Sequence, residues 1–180
     1  MTATKFLKSF VQRNRKLSRK QQILLNNTNY LVKDFATIKT NHKKINLEIG
    51  FGKGEFLLNN AQNNQDELFL GCEPFLSGVI NVLQTADKHD ISNIRVFNDD
   101  VRILLTQITT GTFDKVYILF PDPWPKARHN KRRIINNYLL DEIFRLLKNK
   151  GQLHIVTDSD DYSEWISNLF AEGNRFKVMP

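Results

Sequence analysis

Apolar positions along the chain follow two rhythms. INLEIG (45–50), ELFLGCE (67–73), NIRVF (93–97), DKVYILF (114–120) and GQLHIVT (151–157) are short, largely apolar runs bounded by polar or turn residues, the pattern of buried strands. Between them, 54–64, 75–88, 100–109 and 132–148 carry helical spacing, and a further helix over 160–171 follows the fifth run. Over 132–148, Ile135, Leu139, Ile143, Leu146 and Leu147 make one apolar face. Alternation of this kind predicts an α/β fold: a mostly parallel sheet, right-handed crossovers, and helices on both faces. Such sheets bind ligands beyond the carboxyl ends of their strands, so the residues following each run are where chemistry is expected.

Composition alters this picture little. The 180 residues are 41% hydrophobic and 25% charged, and the length suits one domain. Charge alters it more. The formal net charge of +7 is concentrated in two places. Lys5, Lys8, Arg13, Arg15, Lys16, Arg19, Lys20 and Lys33 all precede the first acid, and Lys126, Arg128, Lys131, Arg132 and Arg133 form a second acid-free run. The remainder is net acidic, so the basic segments favour a polyanionic partner over general solubility. The opening, with its Arg and Ser, also fits a transit peptide. Cys72 is the single cysteine, which excludes an intrachain disulfide and suits a reducing cytoplasm. His42, His89, His129 and His154 are scattered without zinc-like spacing, so no metal is expected. No apolar run approaches the ~18 residues of a membrane span, so no membrane is expected either.

The first strand runs into Glu48-Ile-Gly50-Phe-Gly52-Lys-Gly54. Three alternate glycines allow a sharp turn and a close backbone approach to a ligand, with a helix N-terminus following. A dinucleotide fingerprint would need glycine at 55, where Glu55 stands. A nucleoside cofactor without pyrophosphate, such as S-adenosylmethionine, fits better. Glu73 ends the second strand, where an acid can accept hydrogen bonds from both ribose hydroxyls. Asp99 follows the third strand and could take an adenine amino group; Asp100 beside it could substitute.

The fourth strand ends in PDPW. Pro121 and Pro123 restrict the backbone on both sides of Asp122, so its carboxylate is held in place. A fixed acid near a planar ring suits a base, with the carboxylate on the base edge and an aromatic on its face. Five positive charges follow within eight residues, 126–133.

FPDPWPKARHNKRR resembles the signature of the bacterial tRNA (guanine-N7-)-methyltransferases, and LEIGFGKGEF resembles their cofactor motif. SFVQRNRKLSRKQQ (9–22) and TDSDDYSEW (157–165) match further blocks of that family. The resemblance implies a Rossmann-like class I methyltransferase domain over 41–180, preceded by a basic N-terminal extension over 1–40. It implies that Glu48, Glu73, Asp99 and Asp122 contact S-adenosylmethionine together with Gly50, Gly52 and Gly54, and that Asp122 is the catalytic acid. Lys126 and Asp158 match tRNA-substrate positions. Arg128, His129, Asn130, Lys131, Arg132 and Arg133 match an RNA-contacting stretch, so the implied partner is tRNA and the implied product 7-methylguanosine in its variable loop.

Guanine N7 has an in-plane lone pair and no proton, so no base is needed before attack; alignment and help with developing positive charge are what catalysis requires. Family members continue past GNRFKVMP into a final strand and a Thr-x-x-Glu-type segment. RFKVM is accordingly expected as a sixth strand, with the final strand missing and a sheet edge open. Two other readings follow from the residues. One is an amino-group methyltransferase on a different base. The other is an RNA-binding protein of the same fold with weak or no catalysis.

Overall fold

All five apolar runs become strands, and all five are parallel. The computed structural model describes residues 17–35, 38, 41–173 and 175–179. Along the chain come α1 (Arg19–Asn27), β1 (Lys44–Ile49), α2 (Glu55–Asn63), β2 (Glu67–Cys72), α3 (Leu76–Lys88) and β3 (Ile94–Phe97). There follow α4 (Val101–Leu105), β4 (Phe113–Leu119), a 3-10 helix over Ala127–Arg132, α5 (Asn137–Leu146), β5 (Leu147–Val156) and α6 (Asp160–Ala171). The strand order is β3-β2-β1-β4-β5. Chain direction across the sheet therefore reverses between β1 and β4, and a crevice opens there beyond their carboxyl ends.

Alternation within each strand divides the core into two. Leu47, Ile49, Leu70, Cys72, Val116 and Ile118 face Leu104, Leu139, Ile143 and Tyr162 from α4, α5 and α6. Phe69, Ile94 and Val96 face the other way, toward Leu57, Ala61, Val79 and Leu83 of α2 and α3. Each such side chain contributes roughly 1.5–3 kcal/mol on leaving water.

Helix ends differ from the periodicity for local reasons. α4 is shorter than 100–109 because Gln107 and Ile108 bond three residues back, and the Thr106 hydroxyl donates to the Ile103 carbonyl. These contacts tighten and close its last turn. α5 starts at 137 because Asn136 caps it, accepting from the Leu139 amide. β5 begins at Leu147, taking over the end of the expected 132–148 helix.

α1 has no counterpart among the predicted elements. Ser18 and Gln21 form its capping box. After it, the Val32 amide donates to Val96 and the Val96 amide to Tyr30, so Leu31 bridges the free edge of β3. The described part of the basic opening is thus docked on the domain. Lys5, Lys8, Arg13, Arg15 and Lys16 lie outside the described residues.

Residues 175–179 were expected as a sixth strand and are not one. Phe176 instead packs its ring edge-on against Phe144 of α5 and Phe170 of α6, at 5.5 and 5.9 Å. Burying that ring between helices carries the segment out of the sheet ladder. Among the described residues β5 pairs with β4 alone.

Candidate functional site

β1 ends in the glycine turn, where Gly50, Gly52 and Gly54 have φ of +74, +55 and +80°. At Gly54 the constraint is double, because a Cβ would also stand 2.1 Å from Val82 Cγ2 of α3. Phe51 is buried and anchors the turn from below. The Gly50 amide donates to the Cys72 carbonyl at 2.8 Å, and the Gly52 amide to Glu73 Oε2 at 2.9 Å.

Glu73 is buried and also accepts from the Phe75 amide through Oε1, at 2.8 Å. One carboxylate therefore ties the glycine turn to the β2–α3 connection while keeping lone pairs for a ligand. Burial pushes its pKa up, the two amides pull it back, and the Asp122 charge raises it again. Glu48 is buried one residue before β1 ends, and its Oε2 has no hydrogen-bond partner. Burial first, and the Glu73 charge second, push Glu48 up to about 8. It holds its proton at neutral pH.

The structure separates the two acids after β3. Asp100 is buried, caps α4 through the Arg102 amide at 3.0 Å, and is ion-paired to the Arg102 side chain. Its carboxylate is consumed by the fold. Asp99 is exposed, with Oδ1 accepting only the neighbouring Asp100 amide at 2.7 Å. Asp99 carries the freer carboxylate but stands beside the cavity described next, whereas Asp100 is among the residues that line it.

That cavity, of about 230 Å³, opens at the β1/β4 reversal. Ile49, Gly50, Gly52, Cys72 and Glu73 supply one side, Phe75, Val101 and Ile134 apolar walls, and Phe120, Pro121, Asp122 and Trp124 the side opposite. Loss of water pushes the Asp122 carboxyl above the usual aspartate value. Four expected site residues thus line one cavity: Gly50, Gly52, Glu73 and Asp122. Glu48 and Gly54 back the same turn. The arrangement suits a nucleoside: a glycine turn that lets a ligand approach the backbone closely, a buried carboxylate with spare lone pairs, and apolar walls for a base. Among the described residues no cluster of His, Cys, Asp or Glu could hold a metal ion.

Phe120 and Trp124 bracket the PDPW turn, both in the left-handed region at φ +50 and +46°. Such strain in bulky residues persists only where surroundings over-determine it. The Phe120 amide donates to the Val156 carbonyl at 2.8 Å, fixing the turn's entry. The two rings differ in availability. Trp124 has the Arg132 guanidinium 4.9 Å over its ring and His129 edge-on at 5.8 Å. Phe120 is 63% exposed at the cavity rim. Sequence reasoning passed over Phe120, Phe75 and Ile134, although Phe120 opens the very motif that drew attention.

Lys126, Arg128 and Lys131 are exposed on and just before the 3-10 helix, with His129, Asn130 and Arg132 half-buried. The Asn130 amide nitrogen, oriented to satisfy both its ends, donates to the Trp124 and Lys126 carbonyls at 3.1 and 3.2 Å. Partial loss of water and the charges of Arg128, Arg132, Lys126 and Lys131 hold His129 below the usual histidine value. Arg133, expected to contact RNA, has a side chain that is 1% exposed and ion-paired to Asp161. It would have to leave that pairing to meet a phosphate. Asp158 is exposed in the β5–α6 connection, two residues beyond the Val156 that holds Phe120.

A family model described as a putative methyltransferase matches residues 42–180. The tRNA (guanine-N(7)-)-methyltransferase of Buchnera aphidicola subsp. Baizongia pistaciae is 41% identical over 174 residues, covering 91% of this chain and 71% of its own. The protein of the same name from Wolbachia pipientis wMel is 41% identical over 137 residues, covering 76% and 62%. The chain thus spans about two thirds of the length of these relatives. The solved structure of an antibiotic-related methyltransferase, 17% identical, aligns with a TM-score of 0.51 over 88% of this chain and 77% of its own. The fold is that of Rossmann-like class I methyltransferases.

Proposed function

Because the chain belongs to the tRNA (guanine-N(7)-)-methyltransferase family, we propose that it transfers a methyl group from S-adenosylmethionine to N7 of a guanine in tRNA. The observation that carries this reading is the placement of Asp122, on its doubly proline-flanked turn, across one cavity from the Glu73-tied glycine turn.

S-adenosylmethionine would supply an electrophilic methyl on a sulfonium. Gly50 and Gly52 offer backbone to its amino-acid part, Glu73 accepts from the ribose, and Asp99 receives the adenine amino group. Glu48 presents a neutral carboxyl with one oxygen unpartnered. Guanine N7 needs no deprotonation, so the protein has to align it and stabilise positive charge as it develops. Asp122 does both from the far edge of the base, accepting from the guanine N1–H and 2-amino group, which holds the ring in place and raises electron density at N7. Its raised pKa makes turnover fall on the acid side at a pH above the ordinary aspartate range, as the carboxylate takes up a proton.

Phe120 provides the face on which the base packs, since the Trp124 ring already carries the Arg132 guanidinium. Lys126, Arg128, Lys131 and Arg132 track the tRNA backbone, and the exposed Asp158 of the β5–α6 connection meets the same substrate. Phosphate neutralisation supplies affinity with little sequence information, so the shape of the tRNA selects the target. The buried Cys72 fits work in a reducing cytoplasm. The test is transfer of labelled methyl from S-adenosylmethionine to unmodified tRNA, wild type against Asp122→Asn. Label is expected in 7-methylguanosine, with turnover reduced roughly 10²–10³-fold in the variant and cofactor affinity retained. Near-normal turnover in Asp122→Asn would remove Asp122 from the chemistry.

A further inference from the structure

The PDPW turn has few ways to be held. Neither Pro121 nor Pro123 has an amide to donate, and Phe120 and Trp124 are both in left-handed backbone. The Phe120 amide fixes the entry to the turn. Near its exit, the Pro123 carbonyl accepts from Arg133 Nε at 2.9 Å, ten residues along the chain.

Arg133 is itself gripped from α6. Its Nη2 donates to Asp161 Oδ2, and its guanidinium lies over the rings of Tyr162 and Trp165, 5.0 and 5.2 Å from their centroids. The same two aromatic residues hold the following backbone. The Ile135 amide donates to the Tyr162 hydroxyl at 3.1 Å, and Trp165 Nε1 donates to the Ile135 carbonyl at 3.0 Å. Tyr162 is fully buried.

We propose that Arg133 is a positioning residue, transmitting the rigidity of α6 to the backbone beside Asp122 and so fixing where the catalytic carboxylate stands. The 126–133 run then divides by direction. Lys126, Arg128 and Lys131 face outward to a polyanion; Arg133 faces inward. Only a guanidinium fits its place, because Nε and Nη2 donate in different directions while the plane packs on two rings. Lysine preserves the charge but not the fork. Displacing catalytic groups by about 1 Å costs on the order of 10²-fold in rate, which sets the scale of the expected loss.

Arg133→Lys and Asp161→Asn distinguish positioning from phosphate binding, because Asp161→Asn removes a negative charge. If charge alone mattered, Asp161→Asn would tighten tRNA binding and leave turnover intact. Positioning predicts that both variants lower kcat, Arg133→Lys by roughly 10–100-fold. KM for tRNA and the salt dependence of binding should stay unchanged. The double variant should be no worse than Arg133→Lys, as for two parts of one device. This kinetic arm rests on the methyl-transfer reading above.

A second arm does not: hydrogen exchange of the amides of Phe120, Asp122 and Trp124 without cofactor or RNA. Faster exchange there in either variant, with β1 and β2 amides unchanged, is the expected result. Should Arg133→Lys not fold, Asp161→Asn and Trp165→Phe carry both arms. Wild-type exchange in the turn, or normal kcat in both variants, would overturn the proposal.

Discussion

Gly78 of α3 lies directly against the carbonyl of Gly52, so close that a Cβ on Gly78 would stand 1.9 Å from that oxygen. The glycine turn is thus held from two sides, by the α3 backbone against Gly52 O and by Glu73 on Gly52 N. Any side chain at 78 has to push the turn or tilt the helix. Gly78→Ala is expected to lower stability by about 1–3 kcal/mol, as overpacking does. Cofactor binding should weaken at least tenfold, measured by calorimetric titration. Unchanged affinity would separate the turn from the cofactor site.

Glu48 gives a pH prediction with a definite sign. Its carboxyl rises from the usual 4.5 to about 8 in the folded protein, through burial and the Glu73 charge. Between those values the folded protein holds a proton that the unfolded chain has released. Stability of the unliganded protein therefore falls as pH rises across that window. Glu48→Gln removes the titration. Its melting temperature should approach wild type below the ordinary glutamate value of 4.5, where Glu48 is neutral folded and unfolded, and exceed it above pH 8. Parallel melting curves from acid to alkaline pH would contradict the placement of Glu48 as a neutral buried acid.

Much of this architecture was legible in the sequence. The strands could be read because all five are apolar enough to mark themselves, and parallel order follows from their spacing by helices. The site's carboxylates could be read because strand ends are where such sheets bind ligands. What could not be read depends on contacts distant in sequence. Asp99 and Asp100 are neighbours of one residue type, and only the fold shows that Asp100 pairs with Arg102 and lines the cavity while Asp99 stands outside it. Arg132 and Arg133 are likewise adjacent, yet one covers Trp124 and the other is sealed against α6. A charge run shows that cations are concentrated, not which way each points. Gly78 carries no motif, because its reason lies in the approach of another loop.

Lys126 and Arg132 should behave differently despite equal charge. Lys126→Ala is expected to weaken tRNA binding and reduce the slope of log K against log salt by about 0.9, one phosphate's share. Arg132→Ala should do that and also slow turnover, because it uncovers the Trp124 ring that anchors the turn. Binding isotherms over a range of salt, with kcat beside them, make the comparison. Identical behaviour of the two variants would mean that the Arg132–Trp124 contact has no bearing on Asp122.

Phe120 is exposed at the rim while the half-buried Trp124 carries the Arg132 guanidinium over its ring, so removing the Phe120 ring should cost binding of the base. Phe120→Ala is expected to raise KM for tRNA by roughly 5–150-fold, the equivalent of about 1–3 kcal/mol for one stacked base. Phe120→Tyr should preserve it, and cofactor affinity should hold in both. An unaffected KM in Phe120→Ala would assign the base another platform.

The most direct test of the account changes one atom of the substrate. A tRNA carrying 7-deazaguanine at the modified position keeps its shape, its phosphates and its N1–H and 2-amino edge, and lacks only the N7 lone pair. Methyl transfer from labelled S-adenosylmethionine is predicted for the guanine-containing tRNA and abolished for the 7-deaza form, with binding of the two equal. Label transferred equally to both would contradict N7 as the acceptor and return Asp122 to an amino-group chemistry.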